Sequence, residues 1–116
     1  MMELTRVFKA LSDSNRIRII EMISEKPLCV CEITAVLDLA TSTVSKHLSI
    51  LKDAGLILDE KDGKWVNYRL NETDGNDQIR HLIFLVKSWL RDSELILRDK
   101  VQLKSVDRNH ICKGSS

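Results

Sequence analysis

The groups in this chain best suited to chemistry are its three cysteines, Cys29 and Cys31, one residue apart, and Cys112 near the C-terminus. An odd number, with two so close, does not read as a secreted disulfide framework. Reduced thiols open to a soft metal ion fit better. The pair follows Lys26-Pro27, and proline is tolerated in the first turn of a helix but not inside one, so both cysteines fall at a helix start. There the positive end of the helix dipole, with Lys26 nearby, favours the thiolate, the form that ligates. Geometry adds a condition. At ~100° per residue, positions i and i+2 of a regular helix point about 200° apart. Both sulfurs reach one ion only if that turn is extended or unwound, so capture would distort whatever the helix supports. The plainer reading of Cys-x-Cys in an apolar run is a pair of small core fillers.

The elements around the pair decide between these readings. Ile33, Val36 and Leu37 share one face of a short helix over Glu32 to Leu37, which Asp38-Leu39-Ala40 interrupts. A second helix is expected from an N-cap at Thr41 or Ser42 to Ala54, with Gly55 as its left-handed C′ residue. Val44, Leu48 and Leu51 form its apolar stripe, while Ser42, Ser45, Lys46 and Ser49 line a small, polar, acid-free face. Two helices joined by so short a turn, the second exposing hydroxyls and a lysine, have the form of a DNA-reading helix-turn-helix. An ordinary antiparallel helix pair with a solvated face is the alternative. Next come the β-prone Leu56-Ile57-Leu58, a hairpin signal in Lys61-Asp62-Gly63-Lys64, and an alternating strand from Trp65 to Leu70. A hairpin directly after the second helix makes this a winged helix.

Three segments, Thr43-Val44-Ser45-Lys46-His47-Leu48, Leu51-Lys52-Asp53-Ala54-Gly55-Leu56-Ile57 and Asp62 to Leu70, resemble the ArsR/SmtB family of metal-responsive repressors. Leu28-Cys29-Val30-Cys31-Glu32-Ile33 is similar to the arsenic-sensing box of its arsenite branch. The resemblance runs from Leu4 to Leu70 without gaps; beyond Asn71 it extends only to helical character. It implies As(III) or Sb(III) as inducer, held by three thiolates, and no organic cofactor. One position departs from the best-known form of the box: Thr34 stands where a third cysteine would lie. Cys112 is then the only cysteine left to complete the set, delivered by the tail from its own chain or across a dimer. Alternatively it is an uninvolved surface thiol, and water or an added thiol fills the third position. Other branches of the family bind zinc or cadmium on the last helix through spaced Asp and His. Here His81 has no second histidine near it, His47 reads as a packed or hydrogen-bonded histidine, and His110 is at most an extra ligand in the tail.

With 116 residues, one domain over 1–106 is expected, followed by a polar tail over 107–116. A net charge of +1 says little, so DNA affinity must come from where the charges sit. No apolar run approaches the ~18 residues of a membrane span and no signal-peptide core is visible, which points to the cytoplasm. Leu4, Val7, Phe8 and Leu11 mark an amphipathic first helix, and Ser12-Asp13-Ser14 supplies N-cap candidates for the next. Arg16 and Arg18 near that second helix's start oppose its dipole, so they serve a phosphate, an intersubunit contact or simply the solvent. After a loop over 73–77, Ile79, Leu82, Ile83, Val86, Leu90, Leu97 and Val101 recur at helical spacing. Phe84, Leu85, Trp89, Leu95, Ile96 and Leu103 widen that surface beyond one face. A single long helix pairing with its twin and with the first helix is expected, through Leu4, Val7, Phe8, Ile79, Leu82, Ile83, Val86 and Leu90. The alternative folds it back at Asp92-Ser93 onto its own core.

The expected fold is mainly α with a two-stranded β-wing, a winged helix-turn-helix forming a homodimer through its terminal helices. The expected function is repression: operator DNA is bound metal-free and released when arsenite or antimonite engages Cys29 and Cys31. Ser42, Thr43, Ser45, Lys46 and Ser49 would face the major groove, with Lys61, Lys64 and Arg69 on the backbone. Two-fold symmetry implies half-sites about one turn, or ~34 Å, apart. No nucleophile triad, phosphate loop or paired carboxylate suggests an enzyme. A redox-sensing repressor using Cys29 or Cys31 with Cys112 is the nearer rival. A thiol-based enzyme or metal carrier is the remoter one.

Overall fold

A computed structural model describes residues 4–72 and 77–106. The chain runs α1(Leu4–Ala10), α2(Ser14–Ile23), α3(Val30–Leu37), α4(Thr41–Asp53), β1(Ile57–Asp62), β2(Trp65–Leu70), α5(Asp77–Trp89) and α6(Glu94–Lys104). Asp13 is the N-cap of α2, its carboxylate accepting from the N–H groups of Asn15 and Arg16 at 2.8 and 3.1 Å. α3 ends at Asp38, which takes the left-handed conformation at φ 55° and turns the chain into α4. The N-cap of α4 is Ala40, one residue before the expected hydroxyls, and it has no side chain to cap with. Thr41 and Ser42 therefore lie in the first turn. The far end follows expectation, with Gly55 at φ 81° just past the C-cap Ala54.

The strands pair antiparallel from Ile57↔Leu70 to Asp62↔Trp65, leaving Gly63 and Lys64 as a two-residue loop. Gly63 has φ 62° while Lys64 is not in the positive region, the sign pattern of a type II′ hairpin turn. Leu28 adds an isolated bridge to β2: its N–H donates to Tyr68 O at 3.0 Å and its carbonyl accepts from Tyr68 N–H at 2.7 Å. Ile19, Ile20, Ile33, Val44, Leu48, Leu51, Leu56 and Ile57 form the centre of the core, between α2, the helix-turn-helix and the root of the wing.

The expected single C-terminal helix is two. α5 stops at Trp89, and Ser93 caps α6 by accepting from Ile96 N–H. α6 folds back onto α2 and α3. Its docking is fixed by Arg18, which donates from Nε and Nη2 to both Asp99 oxygens at 2.8 and 2.9 Å, and by Gln102, which donates to Ala35 O at 3.3 Å. Leu103 is buried against the same core. The apolar repeat continues through Leu90 and Leu95, which is why the segment reads as one helix; the capping serine and a charged residue aimed inward at 99 divide it.

Glu21 is the buried polar group with least support. Its Oε2 has no partner among the described residues, and Lys100 Nζ lies 4.0 Å from Oε1. Burial raises its pKa above the ordinary carboxylate value of 4.5, against the pull of Lys100 and Lys87. A carboxyl with a raised folded pKa contributes stability that is fully present below the unfolded value and lost as pH rises through the folded one. Glu21→Gln removes this loss. In paired thermal melts, the Tm of the wild type relative to the variant should fall as pH rises from about 4.5 toward neutrality; a constant difference would show that Glu21 is not the titrating group.

Candidate nucleic-acid and metal-responsive site

α4, the second helix of the helix-turn-helix, presents the face its spacing implies. Val44, Leu48 and Leu51 are buried, while Ser42, Thr43, Ser45, Lys46 and Ser49 are all exposed. Burying the first set sends the second to the opposite side of a 3.6-residue helix. On the wing, Lys61 and Lys64 are exposed and Arg69 is half-buried. Two of these three are engaged locally: Lys64 Nζ sits 4.9 Å from the Trp65 ring centre, and Arg69 Nε lies 3.5 Å from Glu60 Oε2. Lys52 ties the end of α4 to β1 through Asp59 at 2.9 Å, so reading helix and wing are joined by a side-chain contact as well as by the chain.

The cysteine pair straddles a helix boundary. Cys31 lies in the first turn of α3, but Cys29 is its N-cap, in extended backbone at φ −91° and ψ 168°. Only Cys31 is helical, so the opposed directions of two helical neighbours do not describe this pair. Cys29 forms a capping box with Glu32: the Glu32 carboxylate accepts Cys29 N–H at 2.9 Å, and Glu32 N–H is directed to the Cys29 sulfur. Glu32 and Tyr68, through which this turn is held, were missed in the sequence. The signal for Glu32 was present, since S/T-x-x-E is a capping pattern and Cys29-x-x-Glu32 differs from it only by sulfur.

Cys29 is a buried thiol at 3% exposure, whereas Cys31 is disulfide-bonded. Cys112 and His110 lie outside the described residues. Among the described residues, no group of three or more His, Cys, Asp or Glu side chains is placed to hold a metal ion. Two soft sulfurs near one helix end fit a soft ion once Cys31 is reduced. A third protein donor would have to come from beyond the described residues.

The other expected site residues separate into two groups. Val7, Ile79 and Ile83, expected at a dimer interface, are buried in the protomer's own core, because the sequence period shows a buried face but not what buries it. Leu82, Val86 and Leu90 are half-buried, and Leu4 and Phe8 are exposed. Phe84 and Trp89 stand out at 73% and 74% exposure, with Leu85 beside them. Arg16 and Arg18 have partners within the protomer: Arg18 holds α6, and Arg16 reaches His47, which is half-buried and hydrogen-bonded. Among the described residues, no helix is long and apolar enough to cross a membrane.

Comparison with known proteins agrees with this geometry. Residues 13–58, from the cap of α2 into β1, match the arsR family of bacterial regulatory proteins. The chain is 45% identical over 67 residues to the arsenical resistance operon repressor of Escherichia coli strain K12, a match spanning 57% of each protein. It therefore covers little more than half the length of that repressor. It is 42% identical over 95 residues to a cadmium resistance transcriptional regulatory protein, a CadC homolog of Staphylococcus aureus, covering 81% of this chain and 74% of that one. Among solved structures, the homodimeric winged helix-turn-helix DNA-binding domain of Mb0332 from Mycobacterium bovis superposes with a TM-score of 0.66 at 24% identity, over 78% of this chain and 81% of that one. At that identity the likeness shows the fold. With a reading helix, a wing and matched relatives over most of its length, the chain belongs to the ArsR family of helix-turn-helix regulators, which is not a family of enzymes.

Proposed function

We propose that the chain is a homodimeric transcriptional repressor that holds operator DNA while its thiols are free of metal and releases it when As(III) or Sb(III) is bound by Cys29 and Cys31. The observation that carries this reading is the position of the two cysteines at the N-terminus of α3, the helix packed directly against the reading helix α4. Ser42, Thr43, Ser45, Lys46 and Ser49 make base and phosphate contacts in the major groove, and Lys61, Lys64 and Arg69 add salt-sensitive contacts from the wing. Dimerisation uses the exposed apolar residues of α1 and α5, Leu4, Phe8, Phe84, Leu85 and Trp89, because α5 seats only Ile79 and Ile83 in its own core. The two relatives, one of arsenical and one of cadmium resistance, support a soft-ion response and differ on the ion. The arsenic-type box favours arsenite.

Titrating reduced protein bound to a fluorescent operator duplex with arsenite, antimonite and cadmium in parallel tests this. Release by the two metalloids at lower concentration than by cadmium is expected. Operator binding unaffected by any of them would end the proposal.

The disulfide at Cys31 favours a second reading, a redox-responsive repressor of the same fold. Two thiols, Cys31 and Cys112, would lose two protons and two electrons to peroxide, giving a disulfide and two waters. Peroxide releasing DNA with no metalloid present supports it, and release that survives Cys31→Ser removes it.

A further inference from the structure

Arg16 is held between two helices with different duties. Its Nε donates to Ala10 O at 2.6 Å and its Nη2 to Lys9 O at 3.3 Å, carbonyls at the C-terminus of α1 of which Lys9 O also accepts from Ser12. Its Nη1 lies 3.1 Å from Nδ1 of His47 on α4. A guanidinium has donors only, so His47 Nδ1 accepts and the ring proton sits on Nε2. Asp13 Oδ2 is 4.0 Å from the same Nη1, and the arginine side chain is only 13% exposed. The fork is thus spent inside the protomer and is not free to meet DNA. α1 packs on α4 and bears the exposed Leu4 and Phe8, whereas α4 bears the hydroxyl face.

We propose that Arg16, acting through His47, is the positioning residue that fixes the reading helix relative to α1, and so sets the half-site spacing that the dimer accepts. This rests on the dimeric DNA-binding reading above. The separation of two reading helices related by a two-fold axis is determined by how each sits relative to the helix at that axis. A rigid planar fork with a bond to each helix constrains that placement, which a flexible lysine cannot do.

The test uses the full chain and a duplex selected by the wild type from a random library, with two further duplexes whose half-sites are one base pair closer and one farther apart. Arg16→Ala is expected to bind the selected duplex roughly ten-fold more weakly, the order of one lost charge-assisted hydrogen bond. Its preference for that spacing over the other two should shrink toward unity. His47→Leu should behave likewise, and His47→Gln, which keeps an acceptor, should restore the preference. Equal weakening on all three duplexes would mark a general structural or phosphate role and overturn the inference. Should Arg16→Ala fail to fold, the His47 pair, which leaves the α1 carbonyls capped, decides in its place: His47→Leu with unchanged spacing preference overturns the inference. A wild type that selects no duplex overturns the DNA-binding reading, and this inference with it.

Discussion

Cys29→Ser is expected to keep operator binding intact while raising the arsenite needed for half-release by roughly 100-fold or more. Loss of a group that merely supports a ligand costs 10–100-fold in metal affinity, so loss of a ligand should match or exceed the upper end. The fold should tolerate the change well. Cys29 is a buried N-cap opposite the N–H of Glu32, and serine is among the preferred residues at that position. A selective loss of response, with melting temperature and DNA affinity near wild type, would separate a ligand from a core filler. An unchanged arsenite midpoint in reduced protein would remove Cys29 from the site. Cys112→Ser in the same assay distinguishes two sulfurs from three: a midpoint equal to wild type leaves the tail out.

Asp99→Ala should be the most destabilising of the polar substitutions, by about 3 kcal/mol of the roughly 5–15 kcal/mol that holds such a domain. Asp99 is almost fully buried and accepts from Nε and Nη2 of a largely buried Arg18, whose Nη1 donates to the neutral Asn15, so its removal leaves a cation that cannot be deprotonated without its counter-charge. The effect should extend to α3, the helix that carries the cysteine pair, through packing. α6 backs α3 as well as α2, and Gln102 bonds Ala35 in the last turn of α3. Urea denaturation measures the loss; a change below about 1 kcal/mol would show that the pair is worth no more than a surface contact. The double replacement Arg18→Met with Asp99→Leu should recover most of it, since what is costly is the unpartnered charge rather than the missing bridge.

Several features were legible in the sequence because a local rule decides them. Gly55 and Gly63 take left-handed backbone that β-carbons disfavour, and they fix the end of α4 and the tip of the wing. The exposed row from Ser42 to Ser49 follows from the buried row of Val44, Leu48 and Leu51. Other features depend on tertiary choices. The break at Ser93 competes with an apolar repeat that runs straight through it, and only the docking of Asp99 onto Arg18 tips the balance. Val7, Ile79 and Ile83 have the same spacing whether a partner or the protomer covers them. Arg16 and Arg18 were conspicuous for lying against their helix dipole, but a sequence does not say that α1 and α6 come to meet them. Cys29 was placed at the correct helix end and one conformation away from its true one, a distinction that rests on a single ψ angle.

The bridge between Leu28 and Tyr68 involves main-chain atoms on both sides. Any side chain except proline at either position keeps both amide hydrogens, so substitutions there can remodel the surroundings without cutting the link. A displacement of the backbone at residue 29 is passed one peptide bond away to a strand of the hairpin, whatever residues drift into place around it. The thiol turn and the wing are in this sense hinged on the polypeptide itself.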